Sequence, residues 1–274
     1  MKLKIISDIH LEFIKDYKKI IDELFNKTHK ETILGLLGDI CRLDTTENIE
    51  KYKYLLKTVS DKYYNVLIIT GNHEYYGSFI HDIDKLINNI CSEFTNVHFI
   101  NNKIAQIGNY NILGCTLWSE LDKKNEFLII SSINDFKYIN VEIPDERFDY
   151  IEGTDCGVYT NSKLTFDFYN KLHKKDLTWI ENNIDPNKKN IILTHHAPLI
   201  YHTQDKKYYN SPTKSVFCTD LTNLIKNENI VIWGFGHTHY QCEFYAYNTL
   251  VMSNPIGYPD EYKKINKIKT ISLG

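Results

Sequence analysis

Apolar and polar positions along the chain follow two periods. Five runs of about six residues are dominated by Ile, Leu and Val: KLKIIS (2–7), TILGLL (32–37), NVLIIT (65–70), NIILT (190–194) and NIVIWG (229–234). Runs of this length and β-branched content predict buried strands rather than helices. Between the first three runs the apolar spacing changes to three and four. Ile20, Ile21, Leu24 and Phe25 line one stripe, Tyr52, Leu55, Leu56 and Val59 a second, and Phe79, Ile83, Leu86, Ile87 and Ile90 a third. Each stripe is one face of an amphipathic helix. Strands alternating with helices predict right-handed crossover units feeding a largely parallel sheet, so the N-terminal half reads as α/β.

Further along, YNILGCTLW (110–118) and the closing runs QCEFYAY, TLVMSN and IKTISL stand close together with short connections. That spacing predicts antiparallel pairing and a second sheet. The stretch from 119 to 190 carries a weaker pattern. It contains a long helix over 164–183, preceded by the charged segment EIPDERFDYIEG (142–153), and reads as a partly helical insertion over the site. With no repeat, low-complexity tract or Pro/Gly-rich linker, residues 1–274 are expected to form a single domain.

Composition narrows the function classes. A net charge of −3 and a pI near 6.4 create no field for gathering a polyanion, so nucleic acid is an unsupported partner. The 20 tyrosines and the many lysines follow from AT-rich codon usage and carry no functional inference. The local basic groups, QDKK at 204–207 with Lys263, Lys264, Lys267 and Lys269, read as solvated surface in so lysine-rich a chain. Six cysteines without a C-x-x-C pair suit a reduced intracellular protein. Neither a secretory signal pattern nor an apolar stretch of about 20 residues is present, so a soluble, cytoplasmic protein with no membrane partner is expected.

Candidate chemistry then clusters at the ends of the five apolar runs. Each is followed within about three residues by a metal-binding side chain: Asp8 and His10, Asp39, Asn72 and His73, His195 and His196, His237 and His239. Taken singly, such residues are turn formers, helix caps or packed histidines. Beyond the carboxyl ends of neighbouring strands they would converge on one crevice. Asp8 and His10 are expected to share a side of the first strand through its alternation, with Ile9 facing the other way. Carboxylate, amide and imidazole without thiolate suit Mn, Fe, Zn, Co or Ni rather than a structural cysteine-rich zinc site. So many donors exceed the needs of one ion. Two ions about 3.5–4 Å apart would use them all, as in sites that stabilise phosphoryl displacement.

In order, D-x-H, G-D, G-N-H-E, a histidine after a strand and G-H-x-H resemble the calcineurin-like metallophosphoesterases over essentially the whole chain. The longer strings SDIHLEF, GNHEYYG, LTHHAP, GHTH and NPIGY resemble one broad, uncharacterised branch. The resemblance implies an α/β fold, a four-layer α-β-β-α sandwich of two mixed sheets with the metal site at the carboxyl ends of strands. It implies two divalent transition-metal ions, one held by Asp8, His10, Asp39 and His239 and the other by Asp39, Asn72, His195 and His237, with Asp39 bridging. The nucleophile would be a metal-bridging hydroxide, and His73 would be the general acid. His195 is preferred over His196 as the ligand because it directly follows the strand, leaving His196 to contact phosphate or to pack. Glu74 is expected to orient the site without binding metal, and Glu12 reads as readily as a surface residue. The branch has Arg where this chain has Ile256, which bears on substrate preference and leaves the metal set intact.

The expected activity is hydrolysis of phosphomonoesters or phosphodiesters, on a small phosphate ester or a phosphoprotein. One alternative is a non-catalytic scaffold of the same fold, which usually lacks ligands or the catalytic histidine; all are present here. Another is a nuclease, which needs a basic track along the nucleic-acid backbone.

Overall fold

A computed structural model describes residues 1–144, 159–261 and 270–273. The charged run from 145 onward, Cys156, and Lys263, Lys264, Lys267 and Lys269 lie outside the described residues. The first half follows its pattern closely. Strand β1 (Lys2–Ile6), helix α1 (Tyr17–Leu24), β2 (His29–Leu37), α2 (Thr46–Ser60), β3 (Tyr63–Ile69), α3 (Ile80–Cys91) and β4 (Val97–Phe99) alternate along the chain. The four strands pair in sequence order and all in parallel. Helix α2 starts where the Thr45 side chain accepts the Asn48 N–H, which satisfies one of the free amides of the first turn.

A second sheet begins with the antiparallel hairpin β5 (Lys103–Ile107) and β6 (Tyr110–Cys115). Helices α4 (Glu126–Ser132) and α5 (Asp135–Tyr138) and an antiparallel pair, β7 (Asn140–Pro144) with β8 (Tyr159–Lys163), follow. Helix α6 (Phe166–Asn183), capped by Thr165, occupies the stretch where the long helix is expected. The chain continues through β9 (Lys189–Thr194), α7 (Thr222–Ile225), β10 (Ile230–Phe235), β11 (Cys242–Ala246) and β12 (Thr249–Ser253). The sheet order is β11-β12-β10-β9-β6-β5.

The closing runs depart from expectation in part. β11 and β12 form the expected antiparallel hairpin, but β12 lies parallel to β10. All five β12 residues are buried, as suits an inner strand covered on both faces. The last run, β13 (Ile271–Ser272), pairs antiparallel with β1 and so joins the first sheet, covering its open edge.

Three cores explain why the strand runs look continuously apolar. Leu3, Ile5, Ile33, Leu37, Leu67 and Ile69 face Ile112, Ile191, Leu193, Ile232, Leu250 and Met252 between the sheets. Ile6, Leu34, Leu36, Val66 and Ile68 point outward onto Ile21, Leu24, Tyr52, Leu55, Leu56, Val59, Ile83, Ile87 and Ile90 of α1–α3. Leu113, Ile192, Trp233, Phe235 and Val251 meet Ile180 of α6 and Ile225 of α7 on the far side. Helix, sheet, sheet, helix is the resulting order, an α/β sandwich of two mixed sheets. Each fully buried Ile or Leu stabilises it by roughly 1.5–3 kcal/mol. The parallel strands of both sheets end on one rim, where the donor-bearing loops lie.

Candidate metal centre

The donor residues stand beyond their strands, not within them. β1 ends at Ile6, β2 at Leu37 and β10 at Phe235. Asp8 and His10 therefore do not converge by strand alternation. Both adopt left-handed backbone, with φ of 54° and 52°, and Asp39 (52°), His237 (65°) and His239 (50°) do the same. Asp and His tolerate this region better than bulky or branched residues, yet each such residue costs roughly 1–3 kcal/mol. The repeated strain turns the donors inward. Ile9, between the first two, is fully buried in the outer core against the helices, as expected.

Two motif glycines make room for close approach. A Cβ on Gly71 would lie 2.2 Å from Asp39 Oδ1 and 2.7 Å from His195 Cε1. One on Gly236 would lie 2.9 Å from Asp8 Oδ2. Any side chain there would push the donors apart.

All seven expected donors meet in one place. His239 Nε2 is 3.1 Å from His10 Nε2 and 3.5 Å from Asp8 Oδ1. His195 Nε2 is 3.2 Å from both Asn72 Oδ1 and His237 Nδ1. Asp39 Oδ2 lies between the groups, 3.9 Å from His10 Nε2 and 3.5 Å from His195 Nε2. Asp8, His10 and His239 form one cluster with cation-ligating spacing, and Asp39, His195 and His237 another. Nitrogens and carboxylate oxygens packed this closely, without thiolate, fit divalent-cation binding.

Surrounding groups orient these donors. His10 Nδ1 lies 3.3 Å from Glu12 Oε1, His239 Nδ1 2.7 Å from Glu261 Oε2, and His195 Nδ1 donates to the Leu37 carbonyl at 2.7 Å. In each case Nε2 is left facing the site. His237 differs, since its Nδ1 faces the site and its buried Nε2 has no partner among the described residues. Glu12 is no surface residue: its side chain is 4% exposed and also holds His73 Nδ1 at 2.9 Å. Glu74 accepts the N–H groups of Asp39, Ile40 and Gly71 at 2.7–2.9 Å, so it fixes the backbone of the Asp39 loop rather than a ligand side chain.

His73 sits beside the donors. Its backbone N–H donates to Asp39 Oδ1 at 2.8 Å, its ring stacks on Tyr76, and its Nε2 is 3.5 Å from the Tyr258 hydroxyl. His196 packs: its nitrogens lie 3.3 Å from the Thr116 carbonyl and 3.1 Å from the Tyr169 hydroxyl, beneath Trp118. Ile256 packs on the outer core, where its backbone N–H and that of Gly257 bond the carbonyls of Ser7 and Asp8. The residue of that segment that enters the site is Tyr258, stacked on His10. Sequence reasoning missed Asp135, which accepts from Asn72 Nδ2 at 2.8 Å, and Glu261. Neither lies in a motif or at a strand end.

Burial and mutual charge shift the ionisable groups of this cluster in opposite directions. Burial raises the Asp8 and Asp39 carboxyls, but His239 outweighs this at Asp8, and His195 with His73 at Asp39, so both lie below the usual range. Burial lowers His195 and His239, yet the carboxylates of Asp39 and Asp8 lift them to about 9. Burial and the neighbouring His195 push His237 down to about 3. His73 is raised, because Asp39 and Glu12 overcome its burial. Burial and Asp39 lift Glu74 to about 7.

The donors open onto a cleft of about 620 Å³. Its walls include residues 132–135 from the 119–190 stretch, Lys207, Lys214 and Phe217 from the loop after β9, and Tyr258. No described helix is long and apolar enough to cross a membrane.

Comparison with known proteins agrees with this picture. An uncharacterised protein of Acanthamoeba polyphaga mimivirus is 31% identical over 288 residues, covering 99% of this chain and 96% of that one. The crystal structure of a phosphopantetheinyl hydrolase from Mycobacterium tuberculosis superposes with a TM-score of 0.68 at 15% identity, over 96% of this chain and 91% of that one, a likeness of fold. The calcineurin-like phosphoesterase model matches residues 1–241, which hold every donor described above, and the chain belongs to that family.

Proposed function

We propose that the protein is a dinuclear metal-dependent hydrolase of small phosphate esters. The observation that carries this reading is a pair of adjacent clusters, Asp8–His10–His239 and Asp39–His195–His237, with Asp39 Oδ2 3.9 Å from His10 Nε2 and 3.5 Å from His195 Nε2. Asp8, His10, Asp39 and His239 would hold one cation; Asp39, Asn72, His195 and His237 would hold the other. When bound, such a pair supplies Lewis-acid chemistry, acidifying water and neutralising charge on a phosphoryl group.

The protein's own residues do the rest. Glu12 holds His73 Nδ1, so Nε2 points toward the cleft and Tyr258. Asp39 and Glu12 raise the His73 pKa, which favours the protonated ring that donates from Nε2 to the leaving oxygen. A general acid of this kind contributes about 10²–10⁴-fold. Residues 132–135, in the 119–190 stretch, form one wall of the cleft. A volume of about 620 Å³ is that of a small-molecule site, which favours a compact ester over a polymer.

Purified protein should retain about two transition-metal ions per chain and hydrolyse bis-p-nitrophenyl or p-nitrophenyl phosphate. A panel that adds nucleotides and a phosphopantetheinyl ester, after the fold neighbour, would rank substrates. Absence of metal by elemental analysis, with no turnover after Mn²⁺ addition, would sink the proposal. His73→Gln should keep its ions and lose about 10²–10⁴-fold in kcat. Unchanged turnover in that variant would remove His73 from the mechanism.

A further inference from the structure

The geometry points to Asp135, on the short helix α5 of the 119–190 stretch, as the residue that makes Asn72 a metal ligand. This rests on the two-ion reading above and deepens it. A carboxamide can present either its oxygen or its NH₂ group to a cation, and only the oxygen ligates. Something must choose between them, and the hydrogen-bond directions around Asn72 identify what does.

Asp135 is buried, 1% exposed, and its carboxylate is acceptor-only when ionised. Tyr76 has one hydroxyl proton, and at 2.6 Å it goes to Asp135 Oδ1. The Tyr76 oxygen is then an acceptor for Asn72 Nδ2 at 3.1 Å, while Asp135 Oδ1 accepts from the same Nδ2 at 2.8 Å. Both acceptors therefore sit on the NH₂ side of the carboxamide, 2.6 Å from each other. Oδ1 is left facing His195 Nε2 at 3.2 Å, on the side of Asp39 and His237. The opposite amide orientation would set the Asn72 oxygen against the Asp135 carboxylate, with no proton between them. Asp135 is thus a positioning residue, acting on the second cation through Asn72.

The arrangement also ties two parts of the site together. Tyr76, held by Asp135, is the ring on which His73 stacks at 4.4 Å. A residue from outside the strand-end motifs therefore fixes both a donor and the bed of the general acid.

Mn²⁺ titration of the full chain, followed by calorimetry and by the spin coupling of the paired ions, tests this without relying on turnover. Wild type should bind two ions. Asp135→Asn offers an amide that can donate to Asn72 Oδ1 and turn it away. The second ion should weaken about 10–100-fold, as when the partner of a ligand is lost elsewhere, with the first unchanged. Asn72→Asp alone sets two carboxylates against each other and should also hold the second ion poorly. The double variant Asn72→Asp/Asp135→Asn restores one donor and one acceptor and should recover two-ion binding.

Unchanged affinity in Asp135→Asn would overturn the inference. So would a double variant no better than Asn72→Asp, a comparison that stands even if Asp135→Asn does not fold. Wild type binding fewer than two ions would instead overturn the dinuclear reading, and this inference with it.

Discussion

The two halves of the centre orient their imidazoles by different means. In the half built from Asp8, His10 and His239, carboxylates stand behind the rings, Glu12 behind His10 and Glu261 behind His239. Each half has one partly exposed imidazole, His239 in the first, its side chain 16% exposed, and His237 in the second. In the half built from Asn72, His195 and His237, the Leu37 backbone carbonyl stands behind His195, and its side chain is fully buried. A carboxylate behind a ring raises its basicity, and side-chain replacement can remove it; a backbone carbonyl is fixed by the fold. The first half is thus tunable through side chains and the second is locked by β2 and by Asp135.

The largest effect should come from removing what the halves share. Asp39→Asn takes away the charge between the two sets and weakens the acceptor for the His73 N–H at Oδ1. We expect loss of both ions and a fall in kcat/KM of about 10⁴-fold, roughly 5.5 kcal/mol. Elemental analysis and steady-state kinetics on one preparation would show it. A variant that lost one ion only, with kcat/KM within tenfold of wild type, would show the halves to be independent.

Legibility in the sequence followed the same division. The strand-end donors stand where apolar runs stop, so a strand pattern and residue chemistry suffice to find Asp8, His10, Asp39, Asn72, His195, His237 and His239. Helices α1–α3 were legible because each buries one stripe against one sheet face. The reason for convergence was not, since alternation continues only while a strand lasts and β1 ends at Ile6. Left-handed φ values at Asp8 and His10 leave no mark in residue type beyond a mild preference. Glu261 and Asp135 escaped because their roles depend on tertiary contacts with His239 and Asn72, 22 and 63 residues away in sequence. The parallel placement of β12 escaped because a hairpin fixes only one of a strand's two neighbours.

An intermediate effect separates the halves directly. Glu261→Gln leaves His239 in place but replaces the carboxylate behind it, so affinity for the first ion should fall about 10–100-fold with the second unaffected. Glu12→Gln should lower first-ion affinity through His10 and also reduce kcat, because Glu12 holds His73 as well. Metal titration beside KM and kcat for the two variants distinguishes them. Equal weakening of both ions in Glu261→Gln would break the comparison.

The smallest effect is a pH dependence of the metal-free protein. His239 in the first half and His195 in the second are raised from 6.5 to about 9. A group whose folded pKa lies above its unfolded value adds stability that is complete below about 6.5 and lost as pH rises through about 9. His237, already neutral, changes nothing across that window. Bound cations take the place of these protons, so the gain in Tm on adding Mn²⁺ should widen by a few degrees between pH 6.5 and 9. Glu261 is one of the causes that raise His239, so Glu261→Gln should shrink the pH-dependent loss of metal-free stability without removing the part due to His195. Calorimetric melting of both proteins with and without Mn²⁺ measures this. A metal-free Tm that rises with pH across the window would mean the imidazoles are not proton-loaded when the site is empty, and the proposed tuning of the first half by Glu261 would fail.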